Sequence, residues 1–174
     1  FRLIVLATLP VVLAGLILKS TGLIYELRSV KVIGFGMIIF GLILYLSDKY
    51  GKKNRVKSDW SYRDAFIMGI WQAVALIPGT SRSGNTISGG LFLGFSRVTS
   101  VNLSLIMSIP TIFASSVLLS IDFTRVNFKN SDLKTLLLCS SLSCLAAFLA
   151  LSILVKFLQN NNFTPFVIYR LIFG

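Results

Sequence analysis

Residues 78–84 read PGTSRSG, inside the longer run WQAVALIPGTSRSGNTISGGLFLGFSR. Three hydroxyl side chains (Thr80, Ser81, Ser83), the guanidinium of Arg82 and the glycines Gly79 and Gly84 are gathered in this short stretch. Each of these features favours an anion. Hydroxyls and backbone N–H groups donate hydrogen bonds, and glycines let the backbone come close to a ligand. A guanidinium offers a planar fork suited to phosphate oxygens. A helix starting near Asn85 and Thr86 adds free N–H donors and a partial positive charge at its N-terminus. Phosphate or diphosphate is the expected ligand. The competing reading makes PGTSRSG a turn whose Arg82 snorkels or pairs with a buried carboxylate. A nucleotide P-loop does not fit, because no Lys-Ser/Thr pair closes the motif.

The elements that hold this motif are apolar. The 174 residues are 55% hydrophobic and 13% charged, against about a quarter charged in a soluble domain. The expected fold class is all-α: a polytopic integral membrane protein with a re-entrant helical hairpin. Net charge is +11, read mainly as loop anchors and orientation signals. Lys and Arg do not gather into one soluble basic domain, so no nucleic-acid partner is expected. The sequence has no His, which removes His-based acid–base catalysis and His-ligated metals from these residues. Cys139 and Cys144 share one apolar segment and read as small packing residues rather than a disulfide or metal pair.

Four spans are expected, over about 3–18, 32–47, 98–121 and 135–155, as one membrane domain with the start of a last helix at 165–174. The second carries Gly34, Gly36 and Gly41, small residues that let helices approach. In the last span Ser140, Ser143, Cys144 and Ala147 lie three and four apart, a small-residue face for helix packing. Lys19–Lys31, with Glu26, reads as a polar connection, and Asp122–Lys134 as a mixed polar loop. Asp48–Asp64 holds six Lys and Arg, which places it in the cytoplasm.

The block from 64 to 96 is about 33 residues, whereas two spans and a turn need about 40 or more. A single span would carry Pro78, two glycines and Arg82 through lipid. A hairpin over about 64–95 fits instead. Asp64–Ile77 gives a half-helix of roughly 21 Å and Thr86–Phe95 one of roughly 15 Å. Non-helical backbone at membrane depth is tolerated only inside protein or beside a wet cavity, so the hairpin implies a polar cavity.

PGTSRSGNTISGG resembles the signature of the bacterial undecaprenyl-diphosphate phosphatases of the bacitracin-resistance type. So do the lead-in WQAVALIPG, SLIMSIP at 104–110 and PFVIYR at 165–170, and the resemblance runs in order from LATLPVVLAG onward. It implies a bacterial inner-membrane enzyme with two re-entrant hairpins meeting near mid-bilayer. It also implies hydrolysis of undecaprenyl diphosphate to the monophosphate and phosphate, which recycles the lipid carrier for peptidoglycan and gives bacitracin resistance. A divalent cation, Mg²⁺ or Ca²⁺, is the implied cofactor. The implied partners are the polyprenyl diphosphate, membrane lipids and a second copy in a homodimer. Carried across, Ser81, Arg82 and Thr86 contact the diphosphate, with Ser81 and Arg82 in the catalytic roles. Ser83 and the backbone of Gly79 and Gly84 support them. Arg170 is either a second phosphate ligand or an interface anchor, and Gln72 either a ligand contact or a packing hydrogen bond.

The pattern departs from the family in one respect that bears on chemistry. The family's other motif supplies a pair of Glu, a Ser and a His, and no part of this sequence matches it. Glu26 is the one Glu, and no metal ligands are expected within these residues. The chain begins at Phe1 and ends within an apolar run, so it is expected to be a piece of a longer protein, with little turnover by itself. The stretch before SLIMSIP reads VNL (101–103), where the family often has a charged residue and a Phe, a smaller departure at Asn102 and Leu103. The competing functions are a lipid-phosphate transporter or flippase, which also builds sites from broken helices, and a non-functional gene remnant.

Overall fold

The computed structural model describes residues 1–123 and 130–174, without the side chains of 24, 25, 118–123 and 130–132. Among the described residues the chain is helical and forms no strand. The helices are α1 (Arg2–Thr21), α2 (Leu23–Glu26), α3 (Val30–Tyr50), α4 (Tyr62–Val74), α5 (Arg82–Phe92), α6 (Arg97–Phe123), α7 (Asn130–Asn160) and α8 (Thr164–Phe173). Among the described residues four stretches are long and apolar enough to cross a membrane: Arg2–Thr21, Val30–Tyr50, Arg97–Val117 and Leu133–Asn160. Their apolar side chains stay largely exposed, as a lipid-facing surface requires. The chain is a polytopic all-α membrane protein.

Helix α5 lies at the centre. Seven successive residues, Asn85–Leu91, are buried, so this helix is enclosed on all sides, by α3, α4 and α6. Its small residues permit that enclosure. Ile87 and Leu91 join Leu44, Val101, Leu158 and Val167 in one apolar cluster. A second cluster, Ala7, Ala65, Met68, Phe95, Leu103 and Met107, joins α1, α4 and α6.

Helices α4 and α5 form the hairpin. At 13 and 11 residues they measure about 20 Å and about 17 Å, both short of a bilayer core. Ser61 caps α4 in a capping box with Asp64: Asp64 N donates to Ser61 Oγ, and Ser61 N to Asp64 Oδ2. Arg55 ties the two feet together. Its guanidinium donates to both oxygens of Asp64, at 3.1 and 2.6 Å, and to the Leu93 carbonyl at 2.9 Å. Its own backbone N–H donates to the Gly94 carbonyl at 3.0 Å. The chain therefore enters and leaves the hairpin at one end.

Several boundaries differ from the sequence reading. Helix α5 begins at Arg82, not near Thr86, because Ser81 acts as its N-cap and accepts from Gly84 N. The four residues of the motif after Thr80 are thus cap and first turn, not loop. Helix α4 ends at Val74 and tightens into i→i+3 turns through Ile77. Glu26 lies in the short helix α2 rather than a loop; Gly22, at φ 73°, closes α1 and lets a new turn start. Of the polar connection expected at 122–134, residues 124–129 lie outside the described residues, and the rest is helix, in α6 to Phe123 and in α7 from Asn130.

The small-residue face of α7 does not pack in this chain. Ser140, Ser143, Cys144 and Ala147 are exposed, and so is Cys139. Helix α7 joins the core through its last turns, where Leu154, Val155, Phe157 and Leu158 meet the α5–α8 cluster. Spacing reveals that a face could pack, not whether a partner stands opposite it.

Candidate functional site

The hairpin tip is held by carbonyl capture. Thr80 is fully buried, and its hydroxyl donates to the Ile77 carbonyl at 2.8 Å. Gly79 takes φ +87° and presses against Ile33 of α3 so closely that a Cβ there would collide with its carbonyl. Gly36 of α3 faces the Pro78 carbonyl in the same way, so Gly36 is where tip and helix meet. Ser81 also takes a positive φ, 64°, a region that costs a non-glycine residue about 1–3 kcal/mol. That turn leaves Ser81 exposed at the start of α5, with its Oγ 3.5 Å from Ser83 Oγ.

Arg170 of α8 reaches this tip. It is 8% exposed. Its Nη2 donates to the carbonyls of Gly79 (2.8 Å) and Thr80 (2.9 Å), with a longer approach to Gly36 O (3.5 Å). Its Nε donates to Met37 O at 3.2 Å. One guanidinium thus binds the tip to α3. Its Nη1 lies beside Gly84, 3.3 Å from where a Cβ would stand. Between α3, α5, α7 and α8 opens a cavity of about 430 Å³. Gly79, Ser81, Ser83, Gly84 and Arg170 line its polar part, and Leu44, Ile87, Leu154, Phe163 and Phe166 are among its apolar walls.

Arg82, Thr86 and Gln72 do not line that cavity and bond instead toward α4 and α6. Arg82 is half-buried, and its Nη1 donates to Gln72 Oε1 at 3.3 Å. Gln72 is fully buried and donates through Nε2 to Thr111 Oγ1 of α6 at 2.9 Å. Thr86 Oγ1 lies 2.5 Å from Ser104 Oγ, also on α6. The site residues therefore divide between two flanks of the α5 N-terminus. Sequence reasoning missed Thr111 and Ser104. Their spacing carried a signal, since seven residues is two turns and puts both hydroxyls on one face of α6.

A divalent cation finds no ligand set here. Among the described residues no three His, Cys, Asp or Glu side chains cluster. The carboxylates of Asp48 and Asp64 are each taken by basic side chains. The present donors do not fit the implied cation.

The model of the family "Bacitracin resistance protein BacA" matches residues 1–174. The chain belongs to this family. Curated relatives include a protein of Jannaschia sp. at 46% identity, covering 99% of this chain and 64% of its own length. One of Ruegeria pomeroyi is 47% identical over 98% of this chain and 64% of its own length. One of Dinoroseobacter shibae is 46% identical with the same coverage. All three are named undecaprenyl-diphosphatase. The chain spans a little under two thirds of the length of these relatives. The resemblance read from PGTSRSG is thereby established at the level of the family.

Proposed function

We propose that this chain supplies the phosphate-clamping part of an undecaprenyl-diphosphate phosphatase in the bacterial inner membrane. The reaction is transfer of the terminal phosphoryl group to water. The oxygen of water bonds to the terminal phosphorus, the bridging P–O bond breaks, and undecaprenyl phosphate leaves. The observation that carries this reading is the cavity. One end presents hydroxyls, helix-terminal N–H groups and an arginine, and the walls are hydrocarbon. That combination suits an amphiphile with a polyanionic head and a long apolar tail.

Each residue has a stated role in the proposal. Arg82 N–H and Ser83 N–H, at the first turn of α5, face the phosphate oxygens with the helix dipole behind them. Ser81 Oγ and Ser83 Oγ add hydrogen bonds. Arg170 Nη1 faces the polar end while its other nitrogens fix the tip. Arg82, oriented by Gln72, stands at the other flank, so that two cations bracket the N-terminus of α5. Such preorganised charge stabilises a phosphoryl transition state. A divalent cation is implied by the resemblance, but no cluster of three His, Cys, Asp or Glu that could hold it stands among the described residues. Cytoplasmic placement of the 48–64 loop, and recycling of the carrier for wall synthesis with bacitracin resistance, belong to the same proposal.

The test joins this chain, in membranes lacking related phosphatases, with a separately expressed N-terminal re-entrant segment of a full-length relative. Phosphate release from undecaprenyl diphosphate is measured with and without Mg²⁺. Release that needs both pieces and disappears in Arg82→Ala is expected. No release from an inserted, associated pair overturns the phosphatase reading, and retained lipid binding in that case favours a transporter.

A further inference from the structure

A second polar cleft, separate from the hairpin tip, lies where α3 ends, α6 begins and α7 turns into α8. It encloses about 320 Å³ and is lined by Tyr45, Asp48, Lys49, Lys53, Arg97 and Thr164, among others. Asp48 is its hub and is saturated. Oδ1 accepts from Arg97 Nε at 2.6 Å and pairs with Lys53 Nζ at 3.2 Å. Oδ2 accepts from Arg97 Nη2 at 3.2 Å and from Phe163 N at 3.1 Å. Two cations, Lys53 and Arg97, hold this carboxylate, and with Lys49 the cleft lining carries a net charge of about +2. Arg97 Nη1 has no partner among the described residues. The Lys49 ammonium sits 5.7 Å from the ring centres of Tyr45 and Tyr50, with no carboxylate beside it. The N-termini of α6 and α8 add positive ends at the same place.

A stripe on α3 leads into this cleft. Leu42, Tyr45 and Leu46 are 45%, 38% and 44% exposed, and with Lys49 they lie along one face at helical spacing. Apolar and aromatic side chains thus lead to a cationic one over two turns, as a lipid runs from acyl chain to phosphate. Basic pockets between membrane helices are suited to anionic head groups.

From this we infer that the Lys49–Lys53–Arg97 cleft binds the phosphodiester of an anionic glycerophospholipid whose acyl chain lies along α3. This site is independent of the proposed diphosphate cavity.

The test uses the purified chain in detergent and native mass spectrometry with phosphatidylglycerol, or with phosphatidylcholine of the same chain length. Wild type retains phosphatidylglycerol preferentially. Lys49→Gln loses roughly fivefold of that preference, the loss set by one surface cation, and Lys49→Glu loses more. Lys49 is exposed and holds no ion pair among the described residues, so both variants fold. Lys57→Gln removes an equal charge outside the cleft and leaves the preference unchanged. Equal losses from Lys49→Gln and Lys57→Gln overturn the inference, because general surface charge then explains the binding. Competition by glycerol phosphate or inorganic phosphate at the lipid's own concentration overturns the assignment to a lipid.

Discussion

Arg55 Nη2 lies 2.6 Å from Asp64 Oδ2 at the foot of α4, while Nη1 of the same guanidinium donates to the Leu93 carbonyl at the foot of α5. One side chain from the basic loop therefore fixes the spacing of both hairpin feet. Its guanidinium also stacks over the Phe95 ring, 4.3 Å from the centroid. Because α4 and α5 are packed rods, holding their feet also sets where their tip arrives. The position of Ser81 and Arg82 thus depends on a residue at the far end of the hairpin.

Arg55→Ala should destabilise the chain by about 1–3 kcal/mol, since it leaves a buried carboxylate and a carbonyl short of donors. Denaturation in detergent followed by circular dichroism measures this. The pair also sets an acid limit. Burial works against the charged form of Asp64, but hydrogen bonds from Arg55 and Ser61, with the Arg55 charge, outweigh it and hold the carboxyl below its ordinary 3.8. A carboxyl depressed on folding contributes stability above its unfolded value, and that contribution disappears as pH falls through the lower folded value. Wild type should therefore lose stability below about pH 3.8 more steeply than Asp64→Asn. Parallel acid curves for the two proteins would remove the pair from the account.

Arg170→Lys should fail where charge alone would predict rescue. The guanidinium donates to carbonyls on two elements at once, Met37 on α3 and Gly79 and Thr80 at the tip. An ammonium on a longer single stem cannot span them in that geometry. Binding of a polyprenyl diphosphate should weaken about tenfold or more, as loss of one or two charge-assisted hydrogen bonds implies. Isothermal titration with a short-chain analogue checks this, and near-normal affinity for Arg170→Lys would mean that only its charge matters.

In the two-piece phosphate-release assay, Arg82→Ala should cost about 10²–10³-fold in rate, the scale of losing one of the two preorganised cations that bracket the α5 N-terminus. Arg82→Lys should recover little. Thr111→Val probes the relay behind Arg82, because Thr111 holds the Gln72 amide whose oxygen accepts from Arg82. It should lower the rate with little change in KM, and Thr111→Ser should restore it. An unchanged rate in Thr111→Val would show that Gln72 is oriented without α6.

Much of this arrangement was legible before any coordinates. The chain's apolar runs gave the helices, and the deficit of length between Arg63 and Arg97 gave the hairpin. PGTSRSG concentrates the hydroxyls, glycines and arginine on which the proposed phosphate site rests. What stayed hidden depends on direction rather than residue type. Ser81 reads as a loop hydroxyl until its positive φ and its bond to Gly84 N make it a cap. Arg82 and Arg170 look alike in the sequence, yet one turns to α4 and the other to carbonyls at the tip. Cys144 and its neighbours have the spacing of a packing face, but among its described side chains α7 joins the core near its C-terminal end.

The two glycines of the motif should respond differently to a methyl group. At Gly79 a Cβ meets backbone atoms of Ile33, and φ +87° is strained for any other residue. Backbone cannot yield as a side chain can, so Gly79→Ala must move the whole tip off α3. At Gly84 the same Cβ meets Arg170 Nη1 at 3.3 Å and Ser81 Oγ at 3.4 Å, both side-chain ends able to shift by a few tenths of an ångström. Gly79→Ala should therefore lower stability by about 1–3 kcal/mol and abolish diphosphate binding with it. Gly84→Ala should fold like wild type while weakening binding, because the displaced groups are the proposed phosphate donors. Melting temperature and analogue affinity, measured on both variants, separate the two effects. A Gly84→Ala protein with unchanged affinity would place the phosphate elsewhere than the cavity beside Arg170.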